Sequence, residues 1–359
     1  IAREAGWDES GNDVETRVKT AISALENAGY VKRGMNSPRV FATSILAKDM
    51  VEASEKIRTS SHFNEQQKQN SLRIIKSLIS SRSIADAGND EAESRVDYIS
   101  DILGIPKEEV IESINLMREQ GLLADTKDMT AYIKRTDTTN KSLNILTNYL
   151  GLEKLLISML SDERQLINLK EINEIAEKQR IKGASVKSIK TLLYFWTIKG
   201  YVEKTYNASD NVVEIIPKLE PEIINAKYEK RAELCEFIVK HLYEKARELP
   251  VTEREENLVE FSELELKDSF MAELSLTGER KTDFREIQTA LLYLAKTESL
   301  TLEGGFLVLY NAMEIKRLEL DNRIQYKNDD YKQLNEFYKQ KIQQIHIVGE
   351  FANMMVSDY

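Results

Sequence analysis

Apolar positions recur along this chain at helical spacing, broken by short β-rich runs that begin just after a glycine. Val14, Val18, Ala21 and Leu25 stand three or four apart, which puts them on one helix face, and Gly29 follows as a stop. Residues 30–33 and 39–43 then read as strands, with 34–38 between them as the tip of a wing. Pro38 sits at a strand start, where a missing N–H is tolerated. The same succession returns downstream. Residues 62–84 read as a long helix and 86–93 as a polar loop. Residues 96–103 read as a helix, Gly104-Ile105-Pro106 as a turn, and Pro106 as a helix start with Glu108 and Glu109 in the first turn. Val110, Ile114 and Met117 continue the apolar face until Gly121, and residues 122–123 and 131–133 flank a wing loop at 125–130.

The third copy has a helix at 169–176, a basic turn, and Ser185 as N-cap of a helix whose apolar face is Val186, Ile189, Leu193 and Trp196. Gly200 ends it, and strands at 201–205 and 212–216 enclose a wing at 207–211. The fourth has helices at 223–246, 261–274 and 284–296, then strands at 300–302 and 306–310 around Glu303-Gly304-Gly305. A Gly-Gly pair suits a primed hairpin turn. The pattern predicts a mainly α fold with short β-hairpins: tandem winged-helix units, each a helix-turn-helix plus wing, at 1–50, 51–135, 136–218 and 219–312. Residues 313–359 read as a C-terminal helical extension, striped by Leu334, Phe337, Ile342, Ile345, Val348 and Ala352. That stripe packs on the fourth unit or leads toward a further domain.

Composition agrees with helix. Of 359 residues, 42% are hydrophobic and 31% charged, with only 14 Gly and 5 Pro. The lone cysteine, Cys235, excludes an intrachain disulfide and a Cys-type zinc site within the chain, and fits a reducing, cytoplasmic setting. No apolar run reaches the roughly 18 residues of a membrane helix, and no signal peptide is visible. Both ends fall within helical patterns, so the chain reads as part of a longer polypeptide.

Catalytic signatures are not found. The sequence has no phosphate loop, no G-x-G-x-x-G, no G-x-S-x-G and no H-E-x-x-H. His62, His241 and His346 stand far apart and lack metal-ligand spacing. No catalytic, cofactor or metal residue is therefore expected in this chain.

The charge of −10 opposes nucleic acid globally, so a DNA-binding surface has to be local. One such run exists. From Lys178 to Lys204 the chain has seven basic residues and one acidic residue, Glu203. Lys187, Lys190 and Tyr194 fall on one helix face, opposite Ile189, Leu193 and Trp196. Arg180, Lys182, Lys187, Lys190, Tyr194 and Lys204 are therefore candidate DNA contacts, since either a helix in the groove or a wing on the backbone needs cations against phosphate. The alternative is a solvated basic face, or a contact with an acidic neighbour. In the first unit, Arg17 and Thr20 lie on the outer helix face, and Lys32, Arg33 and Arg39 decorate the wing; Arg17, Lys32, Arg33 and Arg39 join the candidates. The acidic second and fourth units (Glu108, Glu109, Glu112, Glu119 and the run 253–286) read as solvated surface or as contacts with other domains.

Three stretches carry a resemblance. Ala24-Leu-Glu-Asn-Ala-Gly-Tyr-Val-Lys-Arg-Gly-Met-Asn-Ser-Pro-Arg-Val-Phe-Ala-Thr-Ser44 resembles the winged-helix segment that follows the motor in long bacterial RecQ-family DNA helicases. Gly305-Phe-Leu-Val-Leu-Tyr-Asn-Ala-Met-Glu-Ile315 and Tyr338-Lys-Gln-Lys-Ile-Gln-Gln-Ile-His-Ile-Val-Gly-Glu-Phe-Ala-Asn353 resemble a later region of the same proteins, in which a UvrD-like motor follows. The resemblance implies an accessory region between two motors of an ATP-dependent helicase acting in DNA repair or recombination. Its partners would be DNA and the flanking motor domains, not a membrane. ATP and Mg would belong to the motors, outside this chain. The four-cysteine zinc module of many RecQ helicases is missing. Two other classes stay open: a protein-interaction scaffold that spaces neighbouring domains without touching DNA, and a winged-helix transcriptional regulator, which four unlike units disfavour.

Overall fold

A computed structural model describes residues 2–3, 5–7, 13–27, 29–38, 40–41, 44–85, 93–94, 96–135, 139–206, 211–248, 258–274, 281–304, 306–310 and 316. Among them are eleven helices and ten strands, the strands gathered in four sheets of two or three. The chain is mainly helical with small sheets, as its periodicity predicts. No helix among the described residues is long and apolar enough to cross a membrane. Two compact units form: Ile1–Gly34 with Thr197–Gly200 and Val308–Tyr359, and Met35–Trp196 with Tyr201–Leu307.

In the first unit α1 (Val14–Asn27) buries Ala21 and Leu25. Gly29 takes φ 80°, and Tyr30 N–H reaches back to the Leu25 carbonyl at 3.0 Å. That left-handed ending is why a glycine stands there. Strand β1 (Val31–Asn36) follows and pairs with β10 (Phe306–Tyr310).

The second unit opens with a helical group. After β2 (Val40–Phe41), α2 (Met50–Thr59) starts on Asp49, whose carboxylate accepts from Val51 and Glu52 N–H at 2.9 Å. The helices α3 (Glu65–Ala85), α4 (Val96–Leu103) and α5 (Lys107–Glu119) pack with it around Ile57, Ile74, Leu78, Ile99, Val110, Ile114 and Met117. A two-residue strand, β3 (Glu93–Ser94), pairs with β2. Past Gly121 the chain is fixed by Arg118, whose guanidinium lies 2.5 Å from Asp128 with both side chains nearly buried.

Two modules follow. The first is α6 (Lys141–Ser158), β5 (Gln165–Asn168), α7 (Leu169–Lys178), α8 (Val186–Ile198), β6 (Val202–Tyr206) and β7 (Val212–Pro217). Its sheet runs β5-β7-β6, antiparallel, with Ile167 opposite Val213 and Lys204 opposite Ile215. Leu146, Leu169, Ile172, Ile189, Leu193, Trp196, Val213 and Ile215 make its core. The second module is α9 (Pro221–Glu248), β8 (Leu258–Phe261), α10 (Glu263–Leu274), α11 (Phe284–Lys296) and β9 (Leu300–Gly304). Its sheet runs β8-β4-β9, and the central strand β4 (Met129–Ile133) comes from far upstream. Ala131 faces Val259 on one side and Leu302 on the other.

The strand pairing corrects three predicted hairpins. Among the described residues β1 is partnered by β10 and β2 by β3, so β1 and β2 lie in different sheets and not in the one hairpin expected. Leu123 makes a bridge to Ile45, while 129–133 joins β8 and β9. The stretches β9 and β10 lie in different sheets, separated by one residue, which is too short for a two-residue turn. Gly304 answers a close approach instead. A Cβ there would meet Met129 Cγ at 3.1 Å and the Asp128 carbonyl at 3.4 Å. Of the remaining expectations, the loop at 86–92, most of the wing at 207–211 and the extension beyond 310 lie outside the described residues, Lys316 excepted.

Candidate nucleic-acid interface

The basic residues predicted between 178 and 204 fall at two places along α8. The first is the turn from α7 into α8. Arg180 follows the end of α7 with φ 60°, its N–H bonded to the Glu177 carbonyl at 2.9 Å. Ser185 caps α8 as predicted: its hydroxyl accepts from Ser188 N–H at 3.0 Å. The N-terminal N–H groups and partial positive charge of α8 thus open beside Arg180, Lys182 and Lys187, all exposed. Lys187 has 81% of its side chain in solvent.

The second is half-buried and centres on Tyr194. Lys204, on β6, holds its ammonium 5.2 Å from the Tyr194 ring centre. Lys296, on the last turn of α11, lies 4.8 Å from the same ring, and its Nζ is 3.3 Å from the Tyr194 hydroxyl oxygen. One aromatic ring therefore serves two cations, each contact stabilising by about 0.5–2 kcal/mol. Lys190, one turn before Tyr194, is also half-buried. Burial and the Lys190 charge together push the Lys204 ammonium down to about 8. The folded amine thus sits below its ordinary 10.5, and the unfolded chain binds the additional proton between about pH 8 and that value. Stability from this group rises with pH across that window, so at neutral pH the charged Lys204 is a cost that the fold carries.

The edge of this surface is Glu298, which follows α11 in the left-handed region with φ 55°. Its carboxylate is 3.6 Å from Lys187 Nζ, and its carbonyl accepts from Lys134 Nζ at 2.7 Å. Among the described residues Arg180 and Glu298 are the two non-glycine residues with positive φ. Each costs roughly 1–2 kcal/mol that a glycine would avoid, and both border the lysines.

Of the predicted candidates, the fold brings Lys204 against Tyr194, one turn from Lys190, and leaves Lys187 beside Glu298. Lys134 and Lys296, which follow β4 and end α11, reach the same neighbourhood without having been candidates. No local pattern marks them, since each is a single lysine beyond its own element's apolar stripe. The other candidates belong to the first unit. Arg17 is exposed on α1 and ion-paired with Asp13 at 2.7 Å. Lys32 is exposed and Arg33 half-buried on β1, whereas Arg39 lies outside the described residues.

Behind α8 lies a buried polar centre. Glu153 of α6 and Arg231 of α9 approach to 2.6 Å, with side chains 0% and 3% exposed. The contact is a close charge pair, not an aligned hydrogen bond. The Trp196 indole N–H donates to the other Glu153 oxygen at 2.7 Å. The rings of Phe195 and Tyr293 face the guanidinium at 4.7 and 4.5 Å. Burial opposes the Arg231 charge, Glu153 outweighs it, and the guanidinium is held above its ordinary pKa. Cys235 is buried beside it, its thiol pushed up by desolvation, which disfavours the nucleophilic thiolate.

The acidic face of α5 is engaged internally. Glu109 accepts from Asn70 at 2.7 Å, Glu119 pairs with Lys267, and Glu112 lies 3.5 Å from Arg285. Glu108 of the same helix is exposed to solvent. A cleft of about 360 Å³ borders it, lined by His62, Glu112, Glu119, Asp283, Phe284 and Arg285 among others. No group of three His, Cys, Asp or Glu able to hold a metal occurs among the described residues. Compared with family models, with curated proteins and with solved structures, the chain matches none.

Proposed function

We propose that this chain is a non-catalytic DNA-binding region that grips phosphate through the lysine surface of α8, as an accessory part of an ATP-dependent DNA helicase acting in repair or recombination. One observation carries the DNA-binding part. Lys204 and Lys296 both lie against the Tyr194 ring, with Lys190 close enough to depress the Lys204 ammonium and Lys187 exposed on the same helix, in a chain of charge −10. The ring contacts offset part of this crowding, the depressed Lys204 ammonium stays a cost at neutral pH, and perturbed cations of this kind are enriched where an anionic ligand is met.

The element order supports a winged-helix reading of the 141–217 module. A helix, a short strand, two helices joined by a turn and a final strand pair, with sheet order β5-β7-β6, resemble that layout, and in it α8 would be the second helix. The helicase setting rests on the resemblance of residues 24–44, 305–315 and 338–353. A second reading, a rigid spacer between neighbouring domains, is favoured by the buried Glu153–Arg231 pair, which ties the two modules together.

The test is fluorescence anisotropy of the chain with forked and duplex DNA across a salt series, beside the variant Lys182→Glu, Lys187→Glu, Lys190→Glu. We expect steeply salt-dependent binding, weakened at least tenfold in the variant (about 1.4 kcal/mol). Absence of binding at low salt would leave the spacer reading.

A further inference from the structure

We propose that the lysine surface is a backbone clamp shared by both modules: it holds DNA phosphates from two sides and does not present α8 to the base edges of a major groove. The inference deepens the DNA-binding reading above and rests on it.

A helix that reads bases needs its outer face open along its length, because side chains must reach the groove floor. Here only the N-terminal turn of that face is open. Lys187 is exposed, but Lys190 and Tyr194 are half-buried. Tyr194 carries an ammonium from β6 and another from the end of α11 against its ring. The ring is therefore occupied by cations and is not offered to a stacked base. The charges belong to three segments of different origin. Lys182, Lys187 and Lys190 come from the turn and α8, Lys204 from the sheet of the same module, and Lys296 from the other module. Lys134 fastens the Glu298 carbonyl that ends α11, and so fixes where Lys296 stands. Lysines set along α8, with Lys182 and Lys187 at its N-terminal end and Lys204 and Lys296 beside Tyr194 further on, match a phosphate backbone, whose spacing does not depend on sequence.

Glu298 has a defined part in this arrangement. Its carboxylate is 69% exposed and sits 3.6 Å from Lys187, within the basic surface. It occupies the position of an anionic ligand, and an arriving phosphate has to displace it.

The test uses the full chain and two random-sequence probes of different base composition, single-stranded and duplex, in anisotropy titrations from low to moderate salt. Lys296→Ala should weaken binding to every probe alike, by roughly three- to tenfold, and lower the salt slope by about 1. Lys296→Arg should restore both. Glu298→Gln should tighten binding by roughly two- to fivefold, since it removes one repelling charge from the contact. Coincident thermal melts of the variants with the parent exclude misfolding. Unchanged affinity in Lys296→Ala, or affinities that differ tenfold or more between the two compositions, would overturn the clamp while the DNA-binding reading survives. Failure of the parent chain to bind any probe at low salt would remove the reading itself.

Discussion

The modules at 141–217 and 221–304 are built from the same succession of helix, strand, helix, helix and strand, and they close in different ways. The first completes its sheet with its own β7, whose partners β5 and β6 lie within the same module. The second receives its central strand from β4, beyond the whole of the other module in sequence. The contrast teaches that element order and sheet closure are separate properties. Order follows from local periodicity, whereas closure depends on which segment finds an unpaired pair of edges. It also explains why the lysine surface draws on both modules: β4 ends at Ile133, so Lys134 is delivered to the end of α11.

The comparison breaks most sharply at β4. Ala131 is fully buried between Val259 and Leu302, and Ala131→Pro removes a ladder N–H from a central strand. We expect a larger loss of stability there than at the buried charge pair or at Gly304, with hydrogen-exchange protection lost in β8 and β9 and retained in β6 and β7. Equal loss in all four strands would mean that the modules unfold as one body. The next effect is at the buried charge pair. Arg231→Met leaves Glu153 charged and unpaired in the core, which costs about 3–5 kcal/mol in urea unfolding. The double change with Glu153→Leu should recover most of that, and a double variant no better than the single would point to packing of the aromatic cage instead. The smallest effect is at Gly304→Ala. The new methyl meets the flexible Met129 side chain, so we expect about 1 kcal/mol, read from the urea midpoint. A neutral result would show that β4 and β9 have slack at that crossing.

Much of the helical framework was legible. Residues 96–103 and 284–296 match α4 and α11 to the residue, because each has a clear apolar stripe with a defined stop or start, Gly104 after the first and Asp283 before the second. The turn glycines at 29, 104, 121 and 200 all have positive φ. Three strands were missed, the two-residue β3 at the end of the expected polar loop among them. Leu166 at the heart of β5 is 64% exposed, so no alternation marks it. Strand β8 does alternate, with Val259 and Phe261 inward, but it abuts α10 and reads as the start of that helix. Pairing was the larger error. Assuming that neighbouring strands form hairpins places β9 with β10, and nothing in residues 300–310 announces that β4 will arrive. The site divides in the same way. The face Lys187, Lys190, Tyr194 follows from spacing on one helix, whereas Lys296 joins it only through tertiary packing.

The remote origin of β4 sets an order in time as well as in space. Synthesis proceeds at about 5–20 residues per second, and β4 precedes β9 by roughly 170 residues, so a nascent chain carries it for on the order of ten seconds or longer before both partners exist. Until β8 is made both of its hydrogen-bonding edges, and until β9 is made one of them, are open to any other extended segment, including the β4 of a neighbouring nascent chain. The 141–217 module can fold meanwhile, since its strands are already made. A ribosome that pauses late in this message would therefore hold one finished module and one exposed strand, and the protein's yield would depend on what meets that strand first.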